Sequence, residues 1–133
     1  AQAILATNSD AIIAANKDGS IVFWNPGAHR IFGYASAEAV GQSLDIIIPE
    51  PLRAPHWEGY RRVMSGGESR YGHGDVLAVP AIRRDGVRIS IEFTIISLRD
   101  DSGDLYGLVA IIRDVTARFK ETRALKKELA ALS

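Results

Sequence analysis

The stretch from Asp75 to Thr116 constrains this chain most, because it alternates like sheet and carries its own turn signals. Within Val87–Leu98, Ile89, Ile91, Phe93 and Ile95 alternate with Arg88, Ser90, Glu92 and Thr94. That period of two marks a strand with one buried face, and its β-branched and aromatic content suits one. A shorter apolar run, Asp75–Ile82, precedes it through Arg83-Arg84-Asp85-Gly86, whose Asp-Gly pair supplies the positive φ angles of a tight hairpin. The polar turn Arg99–Gly103 leads to Leu105–Ile112, apolar at nearly every position, as a strand covered on both faces is. Three antiparallel strands need a cover for their apolar face, and the rest of the chain must supply it.

Earlier in the chain, Ala11–Asn16 and Ser20–Trp24 read as two strands joined at Lys17-Asp18-Gly19, a second Asp-Gly hairpin. Asn25-Pro26 ends the second strand and opens a helix to about Phe32, with Asn25 as cap and Pro26 pre-setting φ. Ser36–Gly41 predicts a helix of one or two turns with a serine cap and a glycine stop. Asp45–Ile48 is an apolar turn, and Pro55 starts a helix that runs to Met64. On that helix His56, Tyr60, Val63 and Met64 share one face, and Glu58 and Arg62 pair at i,i+4 on another. Residues 1–9 are expected to form a short helical cap through Ile4 and Leu5. The order of elements gives an α+β domain with helices laid on one face of an antiparallel sheet.

The tail from Ala117 to Leu132 has no Gly or Pro and is helix-prone. Val115, Thr122, Leu125, Leu129 and Leu132 follow 7-3-4-3 spacing, a short a/d seam suited to a dimer or to a linker. Sixteen basic residues balance sixteen acidic ones, so no global field draws in nucleic acid or an anionic membrane. No apolar run is long enough to span a bilayer, and with no cysteine there is no thiolate or disulfide chemistry. These features predict a cytoplasmic protein. His29 and His73 are too widely spaced to suggest a metal site, and no catalytic Ser/His/Asp or phosphate-loop arrangement is visible. An enzyme is not expected.

Taken in order, Asp18-Gly19, Phe23-Trp24-Asn25, Phe32-Gly33-Tyr34, Glu38 to Gly41, Arg83-Arg84-Asp85-Gly86 and Arg113-Asp114-Val115-Thr116 resemble a PAS (S-box) sensory domain over residues 5–118. The resemblance implies the PAS fold: a five-stranded antiparallel sheet in the order 2-1-5-4-3, short helices over one face and a C-terminal linker helix. It divides the chain into a cap at 1–9, the domain at 10–116 and an output helix at 117–133. It implies a signal-transduction sensor that takes a small molecule or cofactor and drives an effector such as the histidine kinase of a two-component system. The alternative is a homodimerisation module with a closed core.

For cofactors, Arg53-Ala54-Pro55-His56 is similar to the Arg-x-x-His that supplies the haem ligand in PAS domains of the rhizobial oxygen-sensor type. The opposing strand offers Val76, Leu77, Ala78 and Val79 where that type has its oxygen-sensing arginine, so a haem here would have an apolar distal side. The light-sensing flavin subfamily needs a cysteine near Gln42–Asp45, which this chain lacks; a non-photochemical flavin would stack on Trp24 or Trp57. An apolar metabolite such as a fatty acid would be lined by Ile31, Leu44, Ile47, Ile48, Tyr60, Val63, Met64, Leu77, Val79 and Phe93, residues that otherwise fill the core. The resemblance further implies a Glu38–Arg84 salt bridge at the rim. It also implies an Asp114–Thr116 junction tying the output helix to the core, with Arg113 or Arg118 as the partner of Asp114.

Overall fold

A computed structural model of the chain describes residues 10–65 and 78–132. The expected cap at 1–9, His73, Val76 and Leu77 lie outside the described residues. The elements are β1 (Ala11–Asn16), β2 (Ile21–Trp24), α1 (Pro26–Phe32), α2 (Ser36–Ala39), two 3-10 turns (Leu44–Ile47 and Glu50–Leu52), α3 (Arg53–Met64), β3 (Val79–Ile82), β4 (Arg88–Arg99), β5 (Leu105–Asp114) and α4 (Thr116–Leu132). The strands form one antiparallel sheet in the order β2-β1-β5-β4-β3.

Register decides which residues reach the core. Phe93 opposes Ile112, Ile95 opposes Ala110, and on the other side of β5 Ile13 opposes Ala110 and Ala11 opposes Ile112. These side chains share one face, where Trp24, Ala28, Ile31, Phe32, Ile47, Ala81, Ile89 and Ile91 complete a buried cluster. Both sheet edges are managed. Along β2 the segment after α2 runs as a partial extra strand, with Ile21 N donating to Gln42 O and Gly41 N to Ile21 O, each at 2.8 Å. On the far side the edge strand β3 carries Pro80, which has no ladder donor to lose there.

Asn25 joins sheet to helix. Its Oδ1 accepts from Ala28 N at 2.9 Å, capping α1, and from Ile12 N at 2.8 Å; its Nδ2 donates to Asp10 O at 3.0 Å. A Cβ on the neighbouring Gly27 would lie 1.9 Å from Asp10 O, so α1 sits on the start of β1 at a distance only glycine allows.

Two expectations are corrected here. Ser36 is the first residue of α2, not its cap: Ala35 holds the cap position with no side-chain cap bond, and Glu38 Oε1 reaches back to accept from Ala35 N at 2.9 Å. Strand β5 is not covered equally on its two faces. Leu108 and Ile112 are buried on the core face, whereas Val109 and Ile111 on the other are half-buried. A central strand flanked by two others loses much of its outer surface to neighbours without any covering layer.

Candidate functional site

Helix α3 carries the residues that combine burial with chemistry. Tyr60, Val63 and Met64 are buried in a second core cluster with Leu108 of β5, and Trp57, Leu44 and Ile95 pack against it. The i, i+3, i+4 spacing that put them on one face in the sequence is what points them at the sheet. His56, one turn earlier, is half-buried, with its ring 4.7 Å from Trp57 and 5.9 Å from Tyr60 between centroids. Its Nδ1 is buried and has no hydrogen-bond partner among the described residues. Burial lowers its pKa below the usual 6.5, against a raising effect of the Asp45 carboxylate, so the imidazole is held toward its neutral form.

Polar contacts fasten the first two turns of this helix. Arg53 Nε donates to Ile48 O at 3.1 Å, which ties the helix start to the preceding turn. Trp57 Nε1 donates to Asp45 Oδ1 at 2.7 Å. Tyr60 OH donates to Asn16 O at 2.5 Å, and burial, with a smaller effect of Asp18, pushes its pKa up to about 12. The phenol therefore stays a donor throughout the physiological range. Asn16 also organises the β1–β2 hairpin, accepting at Oδ1 from Asp18 N and Ser20 N at 3.0 Å each.

Asn16 and Asp45 were not singled out by sequence reasoning, and Gly19 was read only as a turn residue, though all three position α3. One signal was present: a half-buried tryptophan such as Trp57 requires an acceptor for its indole N–H. The remaining residues singled out as lining are divided. Ile48, Val79 and Phe93 pack against the first core cluster, and Tyr60 and Met64 belong to the second, with Leu44 touching both. Trp24 is core, its Nε1 donating to Tyr34 O at 2.8 Å. His29 is exposed and lines an open cleft of 420 Å³ with Pro26, Arg30, Gly33 and Arg83.

At the rim, Arg84 Nη1 lies 2.6 Å from Glu38 Oε2, and Arg84 stands over the Tyr34 ring at 5.9 Å. Both charged side chains are substantially exposed, so the pair contributes about 0–1 kcal/mol. At the exit, Asp114 Oδ1 accepts from Thr116 N at 2.9 Å and from Thr116 Oγ1 at 2.6 Å, and Thr116 Oγ1 accepts from Ser90 N at 3.0 Å. The arginines go elsewhere, which corrects the expected partner of Asp114. Arg113 Nε lies 3.8 Å from Asp10 Oδ1, and Arg118 pairs with Glu92. Two local donors already occupy the Asp114 carboxylate, and each arginine has an acid facing it.

The model of the PAS fold family matches residues 5–120. The oxygen sensor protein DosP of Escherichia coli K12 is 30% identical over 124 residues, 91% of this chain and 15% of that protein. The sensor protein FixL of Bradyrhizobium diazoefficiens is 31% identical over 129 residues, 96% of this chain and 25% of that one. A PAS domain structure from Colwellia psychrerythraea superposes with a TM-score of 0.73 at 22% identity, covering 87% of this chain and 93% of its own. The chain thus spans a quarter or less of the length of these two sensor proteins.

Proposed function

The chain belongs to the PAS fold family, and from that premise we propose that it is a sensory domain which takes a small ligand or cofactor at His56 and passes the event through α4 to an effector outside this chain. One observation carries the reading: a histidine on α3 whose buried Nδ1 has no partner among the described residues, set among aromatic rings on a helix that packs directly on β5. A buried polar atom without a partner costs about 1–3 kcal/mol, an investment that a ligand contact offsets. The same strand continues from Leu108 to the Asp114–Thr116 junction, so displacement of α3 reaches the root of α4 along one rigid element. The domain acts by regulation and not by catalysis.

Haem is the cofactor that the residues fit best. A neutral imidazole with an uncommitted nitrogen suits an iron ligand, and apolar Val79, Ile91 and Phe93 belong to the neighbouring core cluster. His56 would hold the iron, Tyr60 and Trp57 would fix the ring through their bonds to Asn16 and Asp45, and the apolar strands would exclude water. Bound haem would supply gas or redox sensitivity. The likeness to an oxygen sensor over 91% of the chain supports this choice.

The test is an absorption spectrum before and after adding hemin, beside His56→Ala. A sharp Soret band that the substitution abolishes is the expected result. A spectrum unchanged by hemin removes haem, and mass spectrometry of the purified chain then separates a retained organic ligand from a closed core. A homodimer is part of the proposal, supported by Leu125, Leu129 and Leu132 on α4, which are 59%, 64% and 85% exposed.

A further inference from the structure

Helix α4 leaves the sheet with little to hold its direction. From Lys120 to Leu132 every side chain is exposed, and a helix without packing along its length is marginal in water. Its orientation must come from its first turn. Two contacts to β4 lie there: Thr116 Oγ1 with Ser90 N at 3.0 Å, and the guanidinium of Arg118 with the carboxylate of Glu92.

Glu92 is an unusual acid for a sheet surface, since its side chain is only 15% exposed while that of Arg118 is 60% exposed. A carboxylate so far withdrawn from water needs a cation. One stands directly opposite it on the neighbouring strand: Arg113 is its register partner on β5. Arg113 instead reaches the other way, to Asp10 beside β1. The charges therefore run in a row across the sheet, Asp10, Arg113, Glu92, and the helix supplies the fourth, Arg118. A cleft of 220 Å³ lined by Asp10, Glu92, Thr94, Ile111 and Arg113 lies along the row and admits water to it.

We propose that this row is a two-position latch which sets the angle at which α4 leaves the sheet. With the latch closed, Glu92 pairs with Arg118 and Asp10 with Arg113. With it open, Arg113 turns to Glu92, Arg118 is released with the helix, and Asp10, whose side chain is 32% exposed, is solvated. Glu92 has a cation in both arrangements, so opening leaves no buried charge unpaired, the condition for two states of similar energy. The inference rests on reading α4 as the output element, yet the latch is measurable with no ligand present.

The chain has no cysteine, so Ser97→Cys on β4 and Lys127→Cys on α4, both at exposed positions, provide two unique sites for spin labels. Pulsed electron–electron resonance then reads the distance distribution between sheet and helix. Arg118→Gln is expected to broaden it and to speed amide exchange of residues 117–122 about fivefold, the upper range for such pairs. Asp10→Asn, which frees Arg113 to compete for Glu92, should broaden it too, and adding Arg113→Gln to Asp10→Asn should restore the narrow distribution. A passive salt bridge predicts no effect of Asp10→Asn, and that result overturns the latch. An unchanged distribution in Arg118→Gln also overturns it. These substitutions lie outside the core, and melting curves check that each variant is folded. A working latch in a chain that binds no hemin leaves this inference standing and removes only the haem reading.

Discussion

His56 gives up water on α3 and, among the described residues, gains no hydrogen bond at Nδ1 in return. Its pKa is depressed by burial, with Asp45 opposing, so the unfolded chain takes up a proton at a pH where the folded chain does not. Wherever the unfolded state binds more protons, stability rises with pH. The contribution of His56 is thus fully present above about pH 6.5 and is lost as pH falls from there through the depressed folded value. Urea midpoints measured at about pH 8 and about pH 5 should drop more in the wild-type chain than in His56→Leu. Equal drops would show that the imidazole is as well solvated folded as unfolded. The type and place of this residue were legible in Arg53-Ala54-Pro55-His56, but its orphaned nitrogen was not. Whether a side-chain atom finds a partner depends on segments distant in sequence, here the hairpin and the turn around Asp45.

Helix α3 shows the same division at the scale of an element. Its face is written in the spacing of His56, Tyr60, Val63 and Met64, whereas its seat is made by β1–β2 and the turn before it. Gly19 is where the two meet. It has φ +84°, and a Cβ there would fall 2.1 Å from the Trp57 ring. Gly19→Ala combines left-handed strain with overpacking and should destabilise the fold by about 2–4 kcal/mol. The emission of Trp57 should shift to the red as its ring is lifted from the hairpin. Unaltered stability and emission would mean that the hairpin does not seat the helix. The boundaries of β1 and α1 coincide with those expected, because Asp18-Gly19 and Asn25-Pro26 are local signals with local physical causes. Ser36 misled because a serine near a helix start is only a candidate cap; it lies inside α2, and Glu38 reaches back to the Ala35 amide instead.

For the whole molecule, the leucine seam of α4 is the largest apolar feature left without cover among the described residues beyond Val115. In the proposed homodimer a second copy of the chain would bury it through the same a/d positions. Sedimentation should therefore show a dimer that weakens on dilution, and Leu125→Glu with Leu129→Glu should leave a monomer with unchanged melting. A wild-type chain that stays monomeric at high concentration would rule out the seam as a dimer contact. Among the described residues no helix is long and apolar enough to cross a membrane. The sequence alone determined the five strands, their hairpin turns and the helix faces, because alternation, Asp-Gly pairs and 3.6-residue spacing act over a few residues at a time; the ordered set of motifs carried the resemblance to the family. Only the tertiary structure decided that Arg113 turns to Asp10 and that Arg118 crosses from helix to sheet to meet Glu92. Charges choose partners by proximity across strands whose registers join residues 20 to 100 positions apart, and no local pattern encodes that choice.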